Sequence, residues 1–210
     1  MINRETVVKT IEVISDTIIE NSEMLNDLDR AIGDADHGIN MKRGFEKVKS
    51  ILDDTQGKAI SEVFKTVGMT LLTSVGGASG PLYATVFLKF ADQCKDMDSL
   101  DAATYENMLN AAIEGIKKRG KSDAGCKTML DVWIPYADTL KSEKSLGTDF
   151  SIALGKSVEA AHDGFEYSKT IVATKGRASY LGERSIGHGD PGAASTVLIL
   201  ESLSAMFQEG

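Results

Sequence analysis

Apolar residues spaced three and four apart, in segment after segment, constrain this chain more than any other feature. Val7, Ile11, Ile14 and Ile18 step by four, three and four, with Glu5, Lys9, Glu12 and Asp16 between them. That spacing lays one apolar stripe along an amphipathic helix and does not suit a strand. The first helix is expected to reach about Leu28. The same pattern recurs in Ile39 to Leu52, Ile60 to Leu72, Leu82 to Cys94, Ala102 to Lys118, Thr128 to Leu140, Phe150 to about Tyr167, and Ala193 to Phe207. Eight helices and no convincing strand predict an all-α fold. Pro135 falls inside the sixth pattern, which should therefore kink or begin late.

Composition narrows the function. At 210 residues and 42% hydrophobic content the chain can bury a sizeable core, which excludes a disordered tail or a stapled mini-protein. A net charge of −8, with no basic stripe, argues against a sequence-independent grip on nucleic acid. The start, MINRETVVKTIEVISDTIIE, threads charges through its apolar residues and does not read as a signal peptide. No stretch reads as a membrane span. Cys94 and Cys126, without CxxC spacing, suggest reduced thiols and a cytoplasmic location. No flexible linker, internal repeat or low-complexity run interrupts residues 1–210, so a single helical domain is expected.

Glycine marks where the helices end. Twelve of the twenty glycines fall in four junctions: Gly33 and Gly38; Gly76, Gly77 and Gly80; Gly120 and Gly125; and Gly176, Gly182, Gly187, Gly189 and Gly192. Helix interiors avoid glycine and tight junctions need it, so functional loops at helix ends are expected.

The first junction, Asp29-Arg30-Ala31-Ile32-Gly33-Asp34-Ala35-Asp36-His37-Gly38, holds three carboxylates within eight residues. A turn can converge such hard ligands on a hard cation, Mg²⁺ being the natural choice; equally, aspartates cap helices and solvate turns. The spacing is not that of an EF-hand. Ser74-Val75-Gly76-Gly77-Ala78-Ser79-Gly80-Pro81 feeds a helix with Pro in its first turn. That is a phosphate cradle or simply a tight interhelical turn. Gly115-Ile116-Lys117-Lys118-Arg119-Gly120-Lys121-Ser122 satisfies GxxxxGK[ST], but an amphipathic helix precedes it and a turn follows. The match is therefore read as coincidence, since a P-loop needs a strand before and a helix after. The last junction runs from Lys175 to Gly192; its length and its Arg177 and Arg184 favour a binding segment over a merely solvated loop. Asp190-Pro191 reads as the N-cap and first residue of the final helix.

Taken together, the strings LDRAIGDADHG with Asn40 following, GMTLLTSVGGASGPLYAT, RGKSDAGCKTMLDVW and KGRASYLGERSIGHGDPGA resemble a known family, the nucleotide-binding L subunit (DhaL) of bacterial dihydroxyacetone kinase. The resemblance spans essentially the whole chain, and its YLGERSIGHxDPGA tract looks like the phosphotransferase-dependent branch. It implies an antiparallel barrel of eight α-helices with the nucleotide at one end. It implies two Mg²⁺ ions on Asp29, Asp34 and Asp36, and nucleotide contacts from His37, Asn40, Gly77, Ala78, Ser79, Gly120, Met129, Arg177, Asp190 and Gly192. It further implies retained ADP, recharged to ATP by a phosphohistidine on an M subunit and serving dihydroxyacetone on a K subunit, with no covalent nucleophile on this chain. Such positioning and charge neutralisation suit phosphoryl transfer. The sequence departs from the family at Cys126, where relatives carry an acidic residue in GDKTM or GEKTM. Two other functions stay open: an ATP-exchanging kinase domain for another triose or tetrose, and a nucleotide-loaded module acting on a transcription regulator, a role known for some members.

Overall fold

The computed structural model describes residues 1–207, and over these the chain is all-α. The helices are α1 (Arg4–Glu20), α2 (Ser22–Ile32), α3 (His37–Ile51), α4 (Ile60–Ser74), α5 (Ser79–Gln93), α6 (Ala102–Gly120), α7 (Leu130–Ser145), α8 (Phe150–Ser168) and α9 (Pro191–Met206), with short 3₁₀ turns at Asp53–Thr55 and Arg177–Ser185. The expected first helix is thus two. At Asn21 the backbone leaves helical geometry (φ −90°, ψ 9°), and the Asn21 side-chain amide donates to the Thr17 carbonyl at 2.8 Å. A short polar side chain that bonds to nearby backbone competes with helix continuation.

Among the described residues, eight of the nine helices form a ring. Each of α3 to α8 packs on the next, α8 packs on α9, and α1 closes the circle between α9 and α3. The additional helix, α2, lies against α3 and α9. The expected stripes supply the interior: Val7, Ile11, Ile14 and Ile18 of α1 are all buried, and one apolar cluster runs from Ile2 to Met206. At its centre Phe64, Phe87, Phe90 and Trp133 meet tilted or edge to face, with Phe64 and Phe90 centroids 5.6 Å apart, an arrangement that adds to simple area burial. Among the described residues no helix is long and apolar enough to cross a membrane.

Pro135 sits within α7, which begins five residues earlier at Leu130. Lacking an N–H, it cannot serve the Asp131 carbonyl one turn back. That oxygen faces Gly164 of α8, where an added Cβ would stand 2.1 Å from it. Glycine here lets α7 and α8 approach closely at the proline.

Candidate functional site

Where the ring opens at one end, four helices begin at the wall of a single cavity of about 270 Å³. They are α3, α5, α7 and α9, represented at the wall by His37, Ser79, Met129 and Pro191. A helix N-terminus carries the positive end of the macrodipole, so four of them meeting at one wall favour an anion there despite the acidic chain.

The first junction supplies the opposite charge. Carboxylate oxygens of Asp29, Asp34 and Asp36 lie within 4.8 Å of one another. Asp29 is buried in the last turn of α2, and its Oδ2 accepts the Asp36 N–H at 2.8 Å and the His37 N–H at 3.1 Å. Gly33 makes room for this, because a Cβ there would be 2.0 Å from Asp29 Oδ1. Between Asp34 and Asp36, Ala35 takes a left-handed conformation (φ 60°), an uncommon one for a residue with a Cβ and often found at functional sites. Three hard oxygen donors with no nitrogen or sulfur ligand fit Mg²⁺, which normally completes its shell with phosphate oxygens and water. Arg177 closes the rim, its Nη2 2.9 Å from Asp34 Oδ2.

His37 enters the cavity wall neutral. Burial lowers its pKa to about 4, against the pull of the Asp29 charge. Its Nδ1 pairs with Ser79 Oγ at 3.1 Å and its Nε2 with Ser195 Oγ at 2.9 Å. Ser195 Oγ is also 2.6 Å from the Tyr83 hydroxyl, which donates to the Gly192 carbonyl at 3.0 Å. This network binds together the starts of α3, α5 and α9. Asp190 caps α9 through the Ala193 N–H at 2.7 Å. Burial pushes its pKa up to about 7, the Ala193 bond resisting, with the negative charges of Asp131 and Asp29 raising it further and Lys127 lowering it.

All thirteen residues expected from the sequence line this one cavity: the three aspartates, His37, Asn40, Gly77, Ala78, Ser79, Gly120, Met129, Arg177, Asp190 and Gly192. Gly77 holds φ 66°, which favours glycine in the loop before α5. Ile32, Leu82, Ile116 and Met129 provide the apolar part of the wall. Gly120 closes α6, Lys121 follows as a left-handed cap, and Ser122 but not Lys121 lines the cavity. No strand precedes this turn, so it does not form a P-loop.

Sequence reasoning missed Lys127, Thr128, Tyr83 and Ser195. Lys127 is 1% exposed and left-handed (φ 58°). Its ammonium donates to the carbonyls of Ser168, Ile171 and His188, and burial lowers its pKa while Asp190 and Asp131 favour the charge. Asp131 accepts the Gly125 and Thr128 N–H groups, which shapes the turn holding Lys127. The neighbouring Cys126 is half-buried, and its carbonyl accepts the Thr174 N–H at 3.2 Å.

The DAK2 domain pattern matches residues 31–205. The ADP-binding subunit DhaL of PEP-dependent dihydroxyacetone kinase 1 from Listeria innocua is 45% identical over 201 residues, 96% of this chain and 96% of that protein. The DhaL subunit of the Escherichia coli PEP-dependent enzyme is 41% identical over 208 residues, 99% of each chain. The dihydroxyacetone kinase of C. freundii, solved in complex with AMP-PNP and Mg²⁺, is 23% identical and shares the fold, with a TM-score of 0.72 over 95% of this chain and 33% of that one. With the domain pattern covering most of its length and such relatives matched almost end to end, this chain belongs to the DAK2-domain family.

Proposed function

We propose that this chain is the ADP-binding subunit of a phosphotransferase-dependent dihydroxyacetone kinase. In this reading phosphoryl groups pass from a phosphohistidine on an M subunit, through the nucleotide in the cavity, to dihydroxyacetone on a K subunit. The observation that carries it is the meeting of three clustered carboxylates with the N-termini of α3, α5, α7 and α9 at one cavity. Few ligands other than a metal-bound polyphosphate ask for both signs of charge at once.

Asp29, Asp34 and Asp36 would hold two Mg²⁺ ions, which supply charge neutralisation for the phosphates. The backbone of Gly77, Ala78 and Ser79, with Arg177, answers the phosphate oxygens, and Gly120, Met129 and the apolar wall receive the base. His37, kept neutral, fixes Ser79 Oγ. No residue of the chain need form a covalent bond, because in-line positioning and electrostatics dominate this chemistry. The chain acts as one domain, and its free thiols, Cys94 and Cys126, suit the reducing cytoplasm. Exposed Ile39, Tyr180 and Ile186 stand on the segments framing the cavity, where a K subunit must close to exclude water.

The test is to dialyse the purified protein exhaustively with Mg²⁺, denature it, and identify the released nucleotide by chromatography. Near-stoichiometric ADP supports a retained cofactor; an empty protein would favour an exchangeable ATP kinase and remove the cofactor reading.

A further inference from the structure

We propose that Arg43 is a positioning residue for the nucleotide, acting through Asn40; the proposal rests on the nucleotide reading given above. Arg43 is exposed on α3 and does not line the main cavity, whereas Asn40, one turn earlier, is buried and does. The guanidinium spans two partners: Nε donates to the carbonyl of Ser74, the last residue of α4, at 2.8 Å, and Nη2 donates to Asn40 Oδ1 at 2.8 Å.

Arginine has only donors, so the amide end facing it must be the oxygen. This settles the orientation of Asn40. Its Oδ1 is committed to Arg43, and its Nδ2 is the end that remains for the cavity. With the oxygen taken by Arg43, the NH₂ is left to donate to a ligand in the cavity that Asn40 lines. The same helix turn carries Asp36 and His37, and the Gly-rich loop lies alongside, so the acceptor belongs to the phosphate end of the ligand.

The loop itself depends on this pair. A Cβ at Gly76 would stand 2.7 Å from Asn40 Oδ1 and 3.1 Å from Arg43 Nη2. Gly76 therefore lies directly over the Arg43–Asn40 bond, while Ser74, two residues before it, is held by the other arm of the guanidinium. Arg43 thus sets both the amide donor and the entry to the loop before α5 from outside the cavity.

The experiment is calorimetric titration of ADP with Mg²⁺, and separately of adenosine, into wild type, Arg43→Met, Asn40→Ala and the double variant, each first stripped of retained nucleotide by unfolding and refolding. Loss of one hydrogen-bond donor is expected to weaken ADP about five- to tenfold in Arg43→Met. Adenosine affinity should stay at the wild-type value, and Arg43→Met should add no further loss in the Asn40→Ala background. Gly76→Ala, which presses on the same bond without altering charge, should reproduce the selective loss of ADP affinity.

Equal weakening of ADP and adenosine would overturn the proposal, as would wild-type ADP affinity in Arg43→Met. A loss that persists undiminished in the Asn40→Ala background would also overturn it, showing that Arg43 acts by its charge alone. If nucleotide-free, folded wild type binds no ADP, the nucleotide reading fails and the proposal fails with it; if it binds and nucleotide-free Arg43→Met binds equally well, only the proposal fails.

Discussion

Arg177 Nη2 stands 2.9 Å from Asp34 Oδ2, an ion pair joining the Arg177–Ser185 turn to the junction between α2 and α3. Both partners are substantially exposed, Arg177 by 69% of its side chain, so the pair contributes at most about 1 kcal/mol to stability. Its effect is positional. A cation against one of three crowded carboxylates offsets their mutual repulsion and holds the Arg177 turn over the cavity.

Asp34→Ala follows from that geometry. Truncating an exposed loop residue whose one ion pair is worth at most about 1 kcal/mol leaves the fold intact, so the helical circular-dichroism signal should persist. Phosphoryl transfer should be abolished, because one of three hard oxygen donors is gone. Transfer to dihydroxyacetone in the assembled enzyme is the measurement, and full activity in the folded variant would show that these carboxylates do not hold the metal.

Lys127 joins its own turn to two other stretches of backbone, the end of α8 with the residues just after it and the segment before α9, through the carbonyls of Ser168, Ile171 and His188. Lys127→Met keeps the length of the side chain and removes every donor. Leaving buried carbonyls unpaired should cost about 3 kcal/mol, which for a chain of this size lowers Tm by about 6–12 °C. Thermal unfolding checks this, and an unchanged Tm would mean that solvent replaces the ammonium without loss.

These residues also show how far the sequence could be read. Val7, Ile11, Ile14 and Ile18 announced α1 because periodicity records which face is buried, and the same logic placed most of the other helices. Asn21 divided α1 from α2 through one side-chain bond to Thr17, which no periodicity registers. The clustered aspartates, the Gly-rich loop and Arg177 stood out because they lie in junctions whose Asp, Gly and Arg content helix interiors do not need, whereas Asn40 and Met129 were expected only from the family resemblance. Lys127 was not, since a lysine in a turn ordinarily reads as solvated and only the packing of α8 and the 186–190 stretch buries it. Tyr83 and Ser195 hid inside apolar helix patterns; the Ser195 hydroxyl meets His37, and the Tyr83 hydroxyl meets Ser195, only after α3, α5 and α9 converge.

Lys121→Ala tests the rejected P-loop match. Lys121 is an exposed left-handed cap after α6 and does not line the cavity, whereas a P-loop lysine reaches the β- and γ-phosphates. ADP affinity should remain within about twofold of wild type, as expected for a surface substitution worth less than 0.5 kcal/mol. Loss of nucleotide binding in a folded variant would restore the motif to the mechanism.

Asp190 makes a pH-dependent prediction whose sign is opposite to that of an ordinary salt-bridged carboxylate. Its pKa is about 7 in the folded chain against the ordinary aspartate value of 3.8, so between those values the native state binds the proton more strongly than the unfolded state. Its contribution to stability is therefore greatest below the unfolded pKa and falls as pH rises through about 7. His37, lowered to about 4 from 6.5, acts the other way, its contribution rising with pH across that interval. Comparing Asp190→Asn with wild type cancels the His37 contribution and isolates Asp190. Asparagine can still accept the Ala193 N–H at the N-cap, so the substitution removes the titration and spares the cap. In urea unfolding of nucleotide-free protein at pH 5, 6, 7 and 8, the stability of Asp190→Asn relative to wild type should grow with pH and level off above about 7. A difference independent of pH would show that Asp190 is ionised throughout that range, with the charge of Lys127 outweighing its burial.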